Sequence, residues 1–113
     1  MIEVRPIDDE QIWRQFLANP GPQPGLFLQS PGWFKFQQSL GTQAEVLGFW
    51  QKNDLVGTAL ALRRNLPLKN HYIYVPRGPV VFNTSLSNDV VAALVEHYQS
   101  TNAMFLRVEP VVL

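Results

Sequence analysis

Arg77 is the residue of this sequence best suited to bind a charged ligand, and it stands in the run Tyr72–Phe82, YIYVPRGPVVF. Its guanidinium group suits phosphate oxygens because it presents several N–H donors in one plane. Pro76 and Pro79 lack backbone donors and do not fit a central strand, while Gly78 permits backbone angles that other residues avoid. The run predicts a stiff turn that presents Arg77 at the end of a strand. The alternative is an ordinary turn with a solvated arginine.

The turn closes a basic band in a chain whose net charge is zero. Between positions 52 and 77, one acidic residue, Asp54, accompanies five basic ones: Lys52, Arg63, Arg64, Lys69 and Arg77. Such a band is typical of a phosphate-binding surface or of a solvated face, and charge alone leaves both interpretations open.

The remaining reactive residues form no stand-alone catalytic signature. His71 and His97 are far apart and lack metal-ligand spacing, so each is interpreted as structural or exposed. Nothing in the sequence pairs Glu96 or Glu109, which favours surface solvation. The chain has no cysteine and no glycine-rich phosphate loop. We therefore predict no metal and no bound cofactor.

Composition indicates one small domain with a substantial core. Of 113 residues, 46% are hydrophobic and only 16% are charged, below the usual quarter. This shortage of charge predicts that a partner, a membrane or further chain covers some apolar surface. Since no segment resembles a signal peptide or a membrane span, we expect a cytoplasmic protein.

The first third of the chain predicts two helices. Asp8 is the expected N-cap of a helix over residues 9–18, with Gln11 completing a capping box. A proline- and glycine-rich loop at 20–25 and a short extended piece at 26–29 follow. Ser30 and Pro31 predict the start of a second helix, with Lys35 pointing away from its apolar stripe of Trp33, Phe36 and Leu40.

The rest of the chain predicts strands around a third helix. Two strands, 44–51 and 55–64, form a hairpin with Asn53 and Asp54 as turn residues. A third strand, 71–75, extends the meander. A helix that ends near Asn102 then leads to a strand at 104–109, which can lie parallel to the third, as in a βαβ unit. The bare apolar ending at 110–113 suggests a chain that has been cut short.

Three segments of this sequence together resemble the N-terminal part of the Fem family (FemABX), the peptidoglycan-bridge aminoacyltransferases. They are Gln29-Ser30 with Trp33 and Gly41, the segment Tyr74–Val80, and Phe105–Pro110. The resemblance implies a GNAT-like (acetyltransferase-type) α+β or α/β fold, here a partial domain with a mixed, mostly antiparallel sheet and about three helices. It also implies that residues 1–113 are the N-terminal portion of a longer protein whose second domain is absent.

The resemblance further implies a substrate site. Lys35 falls near a lysine that contacts the diphosphate of the precursor, and Tyr74 and Arg77 match the aromatic and basic positions of the strand motif. Asn83 is the fourth candidate substrate-binding residue: it stands where family members often carry an aspartate, and it keeps the polarity of that position but not its charge. Catalytic residues are not assigned.

The leading functional hypothesis is transfer of an amino acid from aminoacyl-tRNA to the stem peptide of a peptidoglycan precursor at the inner face of the membrane. The partners expected are a nucleotide- or lipid-linked muropeptide, aminoacyl-tRNA through the missing second domain, and a second copy of the chain through exposed apolar edges. One alternative is a non-catalytic module that binds an anionic cell-wall precursor. The other, an acetyl-CoA-dependent N-acetyltransferase, is disfavoured because no glycine-rich pyrophosphate loop lies between Val80 and Asp89.

Overall fold

The computed structural model describes residues 2–18 and 27–109, with only the backbone of Phe27. These residues form a five-stranded sheet with helices on both faces. The strands are β1 (Ile2–Pro6), β2 (Ala44–Gln51), β3 (Asp54–Asn65), β4 (His71–Val75) and β5 (Leu106–Val108). The helices are α1 (Glu10–Ala18), α2 (Pro31–Ser39) and α3 (Ser87–Gln99), with short 3₁₀ turns at Phe27–Gln29, Pro67–Lys69 and Thr84–Leu86.

The sheet follows chain order, β1-β2-β3-β4-β5. Strands β1 to β4 pair antiparallel, whereas β5 pairs parallel to β4 after the chain has crossed over through α3. The prediction of a mixed, mostly antiparallel sheet flanked by about three helices is confirmed. The predicted loop at 20–25, the extended character of Leu26 and the apolar ending at 110–113 lie outside the described residues.

Alternation along the strands divides the core into two layers. The face covered by α3 carries the larger layer: Leu47, Phe49, Ala59, Ala61, Ile73 and Val75, packed against Val90, Leu94 and Tyr98. The opposite face, covered by α1 and α2, carries Val46, Leu60 and Leu62, packed against Trp13. Residues next to each other in β3 therefore serve opposite faces of the sheet.

The N-cap of α1 is Asp9 and not the predicted Asp8. The Asp9 carboxylate accepts a hydrogen bond from the Gln11 amide at 2.9 Å, because α1 begins at Glu10. The 3₁₀ turn at Phe27–Gln29 likewise replaces the predicted extended piece. Both corrections are local, and they leave the order of the helices and strands intact.

The apolar stripe predicted for α2 is wrong. Phe36 is 49% exposed and Leu40 63%, whereas Pro31 and Gln37 are buried and Trp33 and Phe34 pack against the core on the α1 side. The buried Gln37 amide oxygen accepts a hydrogen bond from the Thr42 hydroxyl at 2.9 Å, which satisfies a polar group that the apolar pattern had placed outside. The predicted cap is confirmed, since Ser30 Oγ accepts from the Trp33 amide at 3.2 Å.

Further boundaries differ from the prediction: β5 covers only Leu106–Val108 of the predicted 104–109, and β3 extends one residue beyond each end of the predicted 55–64. The hairpin loop consists of Lys52 and Asn53, because Asp54 already pairs with Gln51. Helix α3 ends at Gln99, three residues before the expected end, where Thr101 caps it by donating to the Tyr98 carbonyl. Threonine and serine near a helix end compete for backbone carbonyls in this way.

Candidate functional site

The turn at Arg77 follows β4 and exposes its arginine, as the sequence predicts. Pro76 and Gly78 are buried on either side of the exposed Arg77, whose φ is 58°, and the Gly78–Pro79 peptide bond is cis. A positive φ is uncommon for a residue with a side chain, so the surrounding contacts must hold it. Arg77 forms no ion pair within the part of the chain that the structure describes.

A buried glutamine is the main contact behind this turn. The side chain of Gln29 is fully buried, and its Nε2 donates to the carbonyl of Pro76 at 2.6 Å and to that of Leu60 at 3.1 Å. Its Oε1 accepts from the Leu60 amide at 2.7 Å. One side-chain amide therefore joins the Arg77 turn to the middle of β3.

Gln29 fills a gap in the sheet between β3 and β4. The two strands pair from Leu62 opposite Tyr74 to the Asn65 end, and no further. Beyond that point the Leu60 backbone bonds to Gln29, and Thr58 bonds to Val80 through N–H···O contacts of 2.8 and 3.1 Å in opposite directions. The chain after β4 thus leaves β3, while the backbone groups of Leu60 and Thr58 keep hydrogen-bond partners.

Gly78 is required by the close approach of Gln29. A Cβ atom at this position would lie 2.7 Å from Gln29 Cδ and 2.8 Å from its Oε1, and both distances are shorter than van der Waals contact allows. The Gly78 carbonyl accepts from the amide of Glu109 at 3.1 Å, which also links the turn to the end of β5. The turn is therefore held from both sides.

Tyr74, the predicted aromatic site residue, contacts Arg107 of β5 and Glu109, which follows that strand. Its hydroxyl donates to Glu109 Oε1 at 2.6 Å, and Arg107 lies 5.4 Å above its ring. The hydrogen bond to Glu109, with burial second, raises the pKa of Tyr74 above its usual 10. Arg107 in turn pairs with Glu109 at 3.3 Å. The interpretation of Glu109 as an unpaired, solvated carboxylate is wrong.

Lys35 lies on the exposed side of α2 and contacts α1. Its Nζ is 3.1 Å from Glu10 Oε1, and Arg14 reaches Glu10 Oε2 at 2.8 Å. These two hydrogen bonds, from Arg14 and then Lys35, lower the pKa of Glu10. The lysine side chain is 63% exposed, so a ligand can compete for it at little cost.

Asn83 serves as a local cap. It is exposed, and its Oδ1 accepts from the amide of Ser85 at 3.1 Å and from its hydroxyl at 2.7 Å. It thereby begins the 3₁₀ turn that precedes α3. Ring contact between Phe82 and Phe16 of α1, with centroids 5.1 Å apart, fixes the chain just before it.

The four predicted site residues are not joined to one another. Within the described ranges, no hydrogen bond or ion pair connects Lys35, Tyr74, Arg77 and Asn83. Sequence reasoning missed Gln29 as the residue that positions Arg77. The available signal was a polar side chain inside an apolar run, directly before the cap of α2.

Other chemistry is sparse in residues 2–18 and 27–109. They contain no group of three or more histidine or acidic side chains that could hold a metal ion. No described helix has the length and apolar character needed to cross a membrane.

The fold belongs to the GNAT acetyltransferase type. The chain superimposes on a ribosomal-protein-alanine N-acetyltransferase from Brucella melitensis with a TM-score of 0.63 at 14% identity, covering 99% of this chain and 82% of that one. It superimposes on a GNAT family acetyltransferase from Staphylococcus aureus with a TM-score of 0.63 at 13% identity, covering 98% of this chain and 87% of that one. On a glucosamine-6-phosphate N-acetyltransferase from Arabidopsis thaliana it superimposes with a TM-score of 0.57 at 13% identity, covering 99% of this chain and 84% of that one.

The sequence places the chain more narrowly. A family model described as the FemAB family matches residues 10–113, and the chain belongs to that family. No curated protein matches it significantly. FemAB membership together with a GNAT-type fold supports an acyltransferase.

Proposed function

We propose that this protein acts in a Fem-type aminoacyl transfer, from aminoacyl-tRNA to the stem peptide of a peptidoglycan precursor. The 113 residues supply the precursor-binding part, and a second domain of the kind the family resemblance implies completes the tRNA side. The observation that carries the proposal is the turn after β4, where the Gln29 amide bonds the Pro76 carbonyl and the exposed Arg77 guanidinium group forms no ion pair with any described residue. A fixed guanidinium suits the diphosphate of such a precursor.

The reaction requires positioning more than chemical activation. The precursor amine attacks the ester carbonyl of aminoacyl-tRNA, a C–N bond forms, and the C–O bond to the ribose breaks. One amine proton leaves, and the ribose hydroxyl gains one. Because the ester is already activated, holding the diphosphate and aligning the amine could supply much of the rate. We assign no side chain of this chain to the proton transfer.

Calorimetry with a nucleotide-linked muropeptide tests the binding role. We expect the chain to bind and Arg77→Gln to weaken binding at least tenfold, because a charge-assisted contact to phosphate is lost. Lys69→Gln is the matched control, since Lys69 is also exposed with a positive φ, 63°, but lies in the turn before β4. Equal affinity of wild type and Arg77→Gln contradicts the proposal.

A transfer assay separates the enzyme from the binding module. Full-length protein is incubated with charged tRNA and several muropeptide precursors, and the amide product is measured. Product that requires Arg77 supports the aminoacyltransferase. Precursor binding without product from any of them would instead identify a module that holds an anionic precursor.

The GNAT-type fold also makes acetyl-CoA a candidate donor, but the entry to α3 disfavours it. The connection from Val80 to Asp89 contains no glycine, and its backbone is committed to the bridge with Thr58 and to the turn capped by Asn83. Asp89 adds a negative charge in the first turn of α3, where a pyrophosphate would otherwise be favoured. Saturable binding of acetyl-CoA, measured by calorimetry, would reverse this preference.

A further inference from the structure

A second candidate site lies at the opposite end of β4, on the face covered by α3. There a cavity of about 450 Å³ opens beside the C-terminal end of α3, within the range typical of small-ligand pockets. Strand β4 is about 13 Å long and separates this cavity from the Arg77 turn. Its floor is apolar, formed by Ala61 and Ile73, and its polar lining includes Glu45, Arg63, His71 and Asn102.

His71 is the strongest sign of a binding function. It is 8% exposed, lines the cavity, and its imidazole makes no hydrogen bond within the described residues. The buried, unpartnered side-chain atoms among the described residues do not include the His71 ring nitrogens, which therefore reach the solvent of the cavity. A ligand oxygen in the cavity could take the place of that solvent as a partner of the imidazole.

Two residues of opposite charge, Glu45 and Arg63, also line this cavity. Glu45 lies opposite Ala61, and Arg63 lies two residues further along β3, so the two side chains are diagonal neighbours on the same face. They form no ion pair. Arg63 Nε makes one long contact of 3.4 Å to Asn65, and no other polar partner for its guanidinium group occurs among the described residues.

Glu45 is held by α3 with part of its carboxylate still available. Its Oε1 accepts a hydrogen bond from the Tyr98 hydroxyl and lies 4.0 Å from His97 Nε2, while the side chain remains 47% exposed. The C-terminal end of α3 adds partial negative charge to this wall of the cavity. This wall therefore favours a cation, and the Arg63 wall favours an anion.

We propose that this cavity binds a small zwitterion, an α-amino acid. Its carboxylate contacts Arg63 and His71, its ammonium group contacts Glu45, and its side chain rests on Ala61 and Ile73. The floor suits an apolar side chain of modest size, such as that of leucine or valine. The proposal stands independently of the role assigned to Arg77.

The experiment is a titration of the ¹⁵N-labelled chain with L-leucine, followed by amide chemical shifts. We expect saturable shifts at residues around the cavity, and affinity at least tenfold lower for Arg63→Gln and for Glu45→Gln. Glutamine at position 45 still accepts from Tyr98, so the fold is preserved. Arg64→Gln is the matched control, because Arg64 is the next residue of β3 and faces the other side of the sheet; it should retain affinity within twofold.

Two analogues test the zwitterion directly. 4-Methylpentanoate lacks the ammonium group and isopentylamine lacks the carboxylate, and each should bind at least tenfold more weakly than leucine. The proposal is overturned if leucine gives no saturable shifts, if either analogue binds as well as leucine, or if Arg64→Gln weakens binding as much as Arg63→Gln.

Discussion

The two ends of β4 present charged groups by different means. At the C-terminal end, Arg77 owes its position to main-chain contacts, made by the buried amide of Gln29 and by the Glu109 amide. At the N-terminal end, Arg63 and His71 owe theirs to strand alternation, which places both side chains on the α3 face. Backbone contacts hold the first site, and a regular strand provides the second.

Because the two ends of β4 are held differently, substitutions at each end should have different effects on the free energy of unfolding. Substitutions around Arg77 should disturb the fold, because buried backbone groups depend on the contacts they remove. Substitutions of the exposed charges at the other end should leave stability nearly unchanged, as is usual for surface residues.

Gln29→Leu should have the largest effect on the free energy of unfolding. It keeps the buried volume but leaves the Leu60 amide, the Leu60 carbonyl and the Pro76 carbonyl without partners. At about 1–3 kcal/mol for each unsatisfied group, we expect a loss of at least about 3 kcal/mol, measured by urea unfolding. Gln38→Leu, at an exposed position of α2, is the control and should change the value by less than about 0.5 kcal/mol. A Gln29→Leu loss below 1 kcal/mol would contradict the bridging role of this amide.

Gly78→Ala should destabilise the protein by about 1–3 kcal/mol, because the new methyl group meets the fixed Gln29 amide. Gly32→Ala, within α2, provides the opposite case. Its Cβ would have no neighbour closer than 3.8 Å, and alanine in a helix is favoured over glycine by about 0.5–1 kcal/mol. Urea midpoints should therefore move in opposite directions for the two variants. Equal shifts would show that the Gln29 contact does not constrain Gly78.

Arg77→Gly and Lys69→Gly compare the left-handed residues of the two turns. Both positions have φ near 60°, a conformation that costs about 1–2 kcal/mol with a side chain and little with glycine. After the extra freedom that glycine gains in the unfolded chain, each variant should be unchanged or up to about 1 kcal/mol more stable. Only Arg77→Gly should lose affinity for the muropeptide. Loss of affinity in both variants would indicate that muropeptide binding does not depend specifically on the Arg77 turn.

Most of the fold could be predicted from the sequence because its signals are local. The hairpin, the meander and the βαβ crossover follow from β-rich runs, turn residues and the order of elements. The α2 stripe failed because the buried Gln37 is satisfied by Thr42, and hydropathy cannot anticipate such a partner. Periodicity therefore located the helix but not its inner face.

The site could be predicted only in part, for the same reason. The Pro-Arg-Gly-Pro run predicts a sharp turn, so the exposure of Arg77 could be predicted from the sequence. The Gln29 bridge spans 47 positions to Pro76, and Glu109 reaches Tyr74 over 35. Contacts between such distant positions depend on the tertiary fold, and no spacing within one segment encodes them.

The smallest expected effect is on the pKa values of two tyrosines that donate to carboxylates. Tyr74 donates to Glu109 near the Arg77 turn, and Tyr98 donates to Glu45 beside the cavity. The pKa of Tyr74 is raised mainly by its hydrogen bond to Glu109, whereas that of Tyr98 is raised mainly by burial, with Glu45 second. Glu109→Gln should therefore return the Tyr74 pKa close to 10, while Glu45→Gln should leave the Tyr98 pKa well above 10. Tyrosine ¹³Cζ shifts, followed from pH 9 upward, report each ring separately.

The direction of the Tyr74 pKa shift determines how the free energy of unfolding changes with pH. A raised phenol pKa means that folding favours the protonated form, so the stabilisation is complete below pH 10 and is lost as the pH rises through the folded-state value. Removing Glu109 should thus lower stability at neutral pH by a small amount and flatten its decline in alkali. A Tyr74 pKa that stays raised in Glu109→Gln would assign the shift to burial and make the two pairs alike.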